Sequence, residues 1–200
     1  VAPPKVTAAL KPSPTRAPAE EAQPAPSPPP TPQPGAIPAL EGERRRVTLV
    51  LADIPGSTVL LQEIGTEAWA EVIAPAMQLV AAEAQRLDAH VKQSRPDALT
   101  ITFGTEIAHE DDPERSVLAA LAMQEAFRSY CDEVAEPLDL RVSVHTGDAV
   151  ISVVGGSPAV LGEVATVADQ RHARLPSDAL WVDDDTYRLV APLFEWSDLE

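Results

Sequence analysis

Thirteen of the 21 prolines in this chain fall within residues 1–40. Proline holds φ near about −65° and has no N–H to donate, so a stretch that is about one-third proline forms neither a helix interior nor a sheet ladder. With Ala, Ser and Gln between the prolines it also has little apolar surface to bury. Residues 1–43 are therefore expected to be a disordered Pro/Ala-rich linker of polyproline character, advancing roughly 3 Å per residue. A P-x-x-P ligand for a proline-recognising domain is the alternative, but such spacings arise by chance in this composition. Everything from residue 44 to 200 then reads as one domain of roughly 155 residues, large enough to bury a core without staples.

Charge is as uneven as proline. Residues 1–46 hold six Lys+Arg and four Glu, which leaves a net of −18 on residues 47–200. Nucleic acid is excluded as a partner, since binding it needs a basic footprint. Cys131 is the sole cysteine, which rules out a disulfide framework and a multi-cysteine zinc site and reads as a buried small hydrophobe. No apolar run approaches the length of a membrane span, so no membrane contact is expected from this segment. The chain starts at Val1 with no signal-peptide pattern. It is read as the cytoplasmic part of a larger protein, with any anchor or sensor upstream.

Within the domain, Val47–Asp53 is apolar on both faces, as in a strand covered on both sides; Arg44, Arg45 and Arg46 before it read as a solvated flank. Trp69, Val72, Ile73, Ala76, Val80 and Leu87 approach helical spacing, with Pro75 requiring a kink or break. Two β runs, Ala89–Gln93 and Ala98–Phe103, flank the turn tetrad Ser94-Arg95-Pro96-Asp97. Asp112-Pro113-Glu114 reads as N-cap, N1 proline and acidic first turn of a helix. Its stripe is Ala120, Met123, Phe127, Cys131 and Val134. Leu138, Leu140, Val142 and Val144 alternate with polar residues, predicting a half-buried strand. Gly147 and Gly155-Gly156-Ser157-Pro158 are expected to be turns around a second strand, Ala149–Val154. A helix over Glu163–Arg174, a strand over Ala179–Val182, a cap at Asp183–Asp185 and a helix over Thr186–Val190 complete an α+β sandwich with a ferredoxin-like βαββαβ centre.

The octapeptide Leu51-Ala52-Asp53-Ile54-Pro55-Gly56-Ser57-Thr58 resembles the first metal-binding motif of the class III adenylate/guanylate cyclases, commonly F-A-D-I-x-G-S-T. The likeness continues in order through His109–Arg115 and Ala119–Glu125. It then runs through Val142–Gly147, similar to R-I-G-I-N-T-G, and Thr186–Val190. The resemblance implies a cyclase homology domain over residues 44–200 that acts as a dimer, with its closing C-terminal strands absent. Two aspartates of one protomer would hold two Mg²⁺ or Mn²⁺ ions on ATP or GTP. The other protomer would supply a purine-reading Lys with Asp or Thr, and an Asn and Arg for the transition state.

Matching the motifs position by position divides the site. Asp53 stands at the first metal aspartate, the Ile54 carbonyl at the neighbouring backbone ligand, and Asp97 at the second aspartate, with Pro96 in place of the hairpin glycine. Oxygen ligands of this kind suit Mg²⁺; the plainer reading is a helix-N-terminal Asp and a turn Asp. The other half departs from the family. Gln93 replaces the base-reading lysine, Ala159 the second base reader, Thr166 the catalytic Asn and Gln170 the catalytic Arg. Arg174, one helical turn beyond Gln170, is a candidate substitute. Losing one preorganised transition-state donor costs on the order of 10²–10³ in rate, so several losses together predict an impaired pseudocyclase. The alternative is a half-site donating its aspartates to a heterodimeric or weakly active cyclase.

Other polar groups read more simply. His109-Glu110-Asp111-Asp112 consists of consecutive positions entering a helix, which do not converge on one ion, and is read as capping. His145 and His172 have no partner at metal-ligand spacing, and each is expected to be exposed or hydrogen-bonded. The run Val153-Val154-Gly155-Gly156-Ser157 has the small residues of a phosphate cradle, but a hairpin turn between strands accounts for it.

Overall fold

The computed structural model describes residues 42–154 and 157–197. Nearly all of the expected linker, together with Gly155 and Gly156, lies outside the described residues. In chain order the elements are β1 (Glu43–Asp53), α1 (Ser57–Ile64), α2 (Thr66–Gln85), β2 (His90–Arg95), β3 (Ala98–Phe103) and α3 (Asp112–Val134). They continue with β4 (Arg141–Val154), β5 (Ser157–Leu161), α4 (Glu163–His172), β6 (Leu180–Val182) and α5 (Asp184–Val190). The sheet runs β2-β3-β1-β4-β5, antiparallel throughout, with β6 parallel to β4 at one end. Strands β1 to β4 with α2 and α3 form the expected βαββαβ unit: β1 sits between β3 and β4, and the two crossover helices lie on one face.

That face holds the main core. Val50, Ala52, Ile101, Phe103, Val142 and Val144 of the sheet pack against Ile73, Met77 and Val80 of α2 and Val117, Met123 and Phe127 of α3. The Tyr130 hydroxyl ties α3 to α2 by donating to the Val72 carbonyl at 2.8 Å. On the opposite face Leu49 and Leu51 lie beneath Ala165 and Ala168 of α4. β1 is thus covered on both sides, as its continuous apolar run predicts.

Several expectations need correction. Gly147 is no turn, because β4 runs unbroken through it. A Cβ at this position would come within 3.0 Å of the Val164 Cβ, so the glycine admits α4 onto the strand. The second strand of that hairpin is β5, an edge strand, the position in a sheet where a proline such as Pro158 is tolerated. Arg44–Arg46 stay at the solvent-exposed end as expected, but as part of β1, paired with Asp148–Val150. Pro75 neither ends nor splits α2; it lies on the exposed side, where water can reach the carbonyl it leaves unpaired. Helix α1 is anticipated only by the plainer reading of Asp53 as a helix-N-terminal residue. It is short and is set off by Gly56 and Gly65, whose φ values of 81° and 83° favour glycine.

The N-cap of α3 is Asp111 rather than Asp112. Asp112 is buried, accepting the His109 N–H at 2.8 Å and pairing with Arg115. On the α3 stripe Val134 is exposed, whereas Cys131 is buried. Helix α4 ends at His172, and the exposed Arg174 lies in the turn that follows it, with its N–H donating to the Arg171 carbonyl at 3.0 Å. Asp183 caps α5 as expected, its carboxylate accepting the Thr186 N–H at 2.8 Å.

Candidate active site

β1 delivers Asp53 to the end of the sheet on the α4 side, where its side chain is only 10% exposed. The register places Arg141, first residue of β4, directly opposite it, and directly opposed residues project from the same face. The Arg141 fork closes on the carboxylate, Nε donating to Oδ1 at 2.9 Å and Nη2 to Oδ2 at 2.8 Å. His172, in the last turn of α4, donates from Nε2 to Oδ1 at 3.0 Å. Arg95 of the β2–β3 hairpin reaches Oδ2 at 3.4 Å through Nη2 and Asp97 Oδ1 at 3.2 Å through Nε. One guanidinium therefore spans the two expected metal carboxylates. The hairpin is fastened to the end of β1 by the Ile54 N–H, which donates to the Asp97 carbonyl at 3.1 Å.

Burial alone would raise the Asp53 carboxyl, but the donors on His172 and Arg141 outweigh it and hold the group well below the usual carboxylate range. Behind His172, Nδ1 meets the Ser143 hydroxyl at 2.8 Å, and the same hydroxyl meets His145 Nε2 at 3.1 Å. A carboxylate only accepts, so Nε2 of His172 bears a proton. His145 Nδ1 has no hydrogen-bond partner among the described residues. Burial first, then the charges of His172 and Arg171, push His145 down to about 4.

A divalent ion does not fit this arrangement. A carboxylate offers about four lone-pair sites, and four donor contacts from Arg141, His172 and Arg95 fall on Asp53. The Ile54 carbonyl, the expected backbone ligand, accepts the Ser57 N–H at 3.3 Å. Among the described residues no three His, Cys, Asp or Glu side chains group to hold a metal. Sequence reasoning does not find Arg95, Arg141 and His172, because nothing local ties them to Asp53.

The remaining expected positions are spread over two surfaces. Thr166 and Gln170 lie one turn apart on the exposed side of α4. Gln93 turns back on its own hairpin, donating to the Pro96 carbonyl at 3.1 Å. Lys92, its neighbour, lines a cleft of about 230 Å³ on the α4 side of the sheet with Ala159, Leu51, Thr100, Ala165 and Asp169. A cleft of about 500 Å³ beside it includes Asp53, Arg95, Arg141 and His172. A larger cleft than these two, about 720 Å³, is elsewhere, between β4, α4 and α5 and lined by Arg46, His145, Asp183 and Arg188 among others.

A family model described as the adenylate and guanylate cyclase catalytic domain matches residues 41–197. Among solved structures, the adenylyl cyclase CyaB from P. aeruginosa is similar with a TM-score of 0.72 at 19% identity, over 76% of this chain and 84% of that one. The guanylate cyclase domain of RhGC from Catenaria anguillulae, in complex with GTP, gives 0.67 at 20% identity over 74% and 84%. A dimeric guanylyl cyclase domain of the RhoGC fusion protein from the aquatic fungus Blastocladiella emersonii gives 0.68 at 18% over 75% and 86%. A comparison with curated proteins finds no match. These structural likenesses establish the fold, and with a family model spanning most of its length, the chain belongs to the adenylate and guanylate cyclase catalytic domain family.

Proposed function

We propose that this domain is a pseudocyclase: a class III cyclase-type signalling module that dimerises, with itself or with another cyclase domain, and makes little or no cyclic nucleotide. The observation that carries the reading is the pair Thr166 and Gln170, one turn apart on the exposed side of α4. They stand where the family presents an Asn and an Arg to the nucleotide of the partner protomer. Neither replacement is cationic, and the nearest candidate substitute, Arg174, lies past the end of the helix. Ala159, at the second base-reading position, has no side-chain donor or acceptor for a purine. Without these transition-state donors little rate remains, even when their effects are not additive.

The setting is read as the cytoplasmic part of a larger protein, joined through the proline-rich segment; none of the described helices is long and apolar enough to cross a membrane. The test is direct. The purified chain, given ATP or GTP with Mn²⁺ or Mg²⁺, is expected to form no cyclic AMP or cyclic GMP above the protein-free blank. Turnover that Asp53→Ala abolishes would refute the reading.

A second reading has one observation in its favour. Lys92 and Ala159 share the cleft on the α4 side of the sheet, so a cation remains near the base-reading position although Gln93 does not fill it. On this view the chain donates half of a composite or weakly active site. Activity would then appear on mixing with a second cyclase domain and disappear with Asp97→Ala.

A further inference from the structure

We infer that Arg141, Arg95 and His172 form an internal lock on Asp53 and Asp97, with guanidinium groups of the same protomer taking the place of a divalent metal. The inference rests on reading these two aspartates as the family's metal positions, and it deepens the proposed loss of activity. A metal site needs carboxylate lone pairs turned toward open space. Here Arg141 and His172 occupy Asp53 at 2.8 to 3.0 Å, and Arg95 bridges Asp53 to Asp97 at 3.4 and 3.2 Å.

Charge leads to the same conclusion. Two aspartates and two arginines sum to zero before His172 is counted, so a divalent ion would bring an uncompensated +2 into a largely buried cluster, which is strongly disfavoured. The inner part of the lock is fixed from behind. The Arg141 Nη1 donates to the Leu175 carbonyl at 3.2 Å, and Ser143 holds the far side of the His172 ring at 2.8 Å. Arg141 is 15% exposed whereas Arg95 is 61% exposed. Arg141 is thus the inner bolt, and Arg95 an outer one open to solvent. Because Asp53 joins β1, β4 and the end of α4, the contact that excludes the metal also seats the helix bearing Thr166 and Gln170.

The experiment measures Mn²⁺ binding to the full chain without nucleotide, by electron paramagnetic resonance of free Mn²⁺, at neutral pH and moderate salt. The wild-type protein is expected to show no Mn²⁺ binding that Asp53→Asn removes, up to millimolar metal, and no Asp53-dependent rise in melting temperature. Arg141→Ala combined with Arg95→Ala is expected to gain one saturable site at least about tenfold tighter than any wild-type binding, lost again on adding Asp53→Asn. Arg95→Ala alone alters an exposed side chain and serves if the double variant does not fold; it too is expected to show more Asp53-dependent binding than wild type. A wild-type Mn²⁺ site abolished by Asp53→Asn overturns the lock, whatever the cyclase assay shows. So does a folded opened variant that gains no Asp53-dependent site.

Discussion

Replacing Arg141 with alanine should be among the more damaging single changes outside the main core. The Asp53 and Arg141 side chains are 10% and 15% exposed and are joined by two hydrogen bonds of 2.8 and 2.9 Å. Removing one member of a buried pair strands the other charge, at a cost of about 3–5 kcal/mol. His172 still donates to Asp53, whereas the exposed Arg95 adds little, so the lower end of that range, about 3 kcal/mol, is expected. For a domain of this size that lowers the melting temperature by about 6–12 °C. Urea unfolding of the wild-type and Arg141→Ala chains at pH 7 measures the difference. Adding Asp53→Asn to Arg141→Ala should recover at least about 1 kcal/mol, because the stranded charge is gone. Acid provides an independent check. The folded carboxyl of Asp53 lies below its unfolded value, so its contribution is fully present above about pH 4 and is lost as pH falls from there through the folded value. The variant should therefore lose less stability than wild type on acidification. A loss below about 1 kcal/mol at pH 7, or equal acid sensitivity in the two proteins, would refute the reasoning.

His145 acts in a neighbouring pH range with the same sign. Its folded value of about 4 lies below the ordinary 6.5, so the unfolded chain binds more protons between them, and stability falls as pH drops through that window, by about 3 kcal/mol in all. His145→Gln should flatten the slope between pH 7 and pH 5 in urea titrations; an unchanged slope would assign the acid sensitivity to another group. Asp183→Ala removes the acceptor of the Thr186 N–H and should cost about 1 kcal/mol by the same assay, while a neutral result would mean that water replaces the cap.

Local pattern was enough for much of the fold. The apolar run of β1, the Pro96-Asp97 turn and the stripe of α3 each rest on neighbours within a few residues, and such neighbours are visible in sequence. Pattern misled where a residue answered to something distant. Gly147 has the composition of a turn, yet it serves the approach of Val164 from α4. Asp112 has the composition of a cap, yet it is engaged with His109 and Arg115.

The site divides along the same physical line. Asp53, Ile54, Asp97, Thr166 and Gln170 are singled out as candidates by matching short motifs, because chemical identity at a position is a property of the sequence alone. Whether those groups are open to a ligand is not. The atoms that close on Asp53 come from Arg95, Arg141 and His172, which lie 42, 88 and 119 residues further along the chain. They reach it because β4 pairs with β1 in one register, because the hairpin folds back on the end of β1, and because α4 crosses both strands. The sequence by itself determined which family this chain joins and which side chains stand at the motif positions. Only the tertiary structure decided that two of those side chains are already neutralised, because burial and register set a carboxylate's partners where composition cannot.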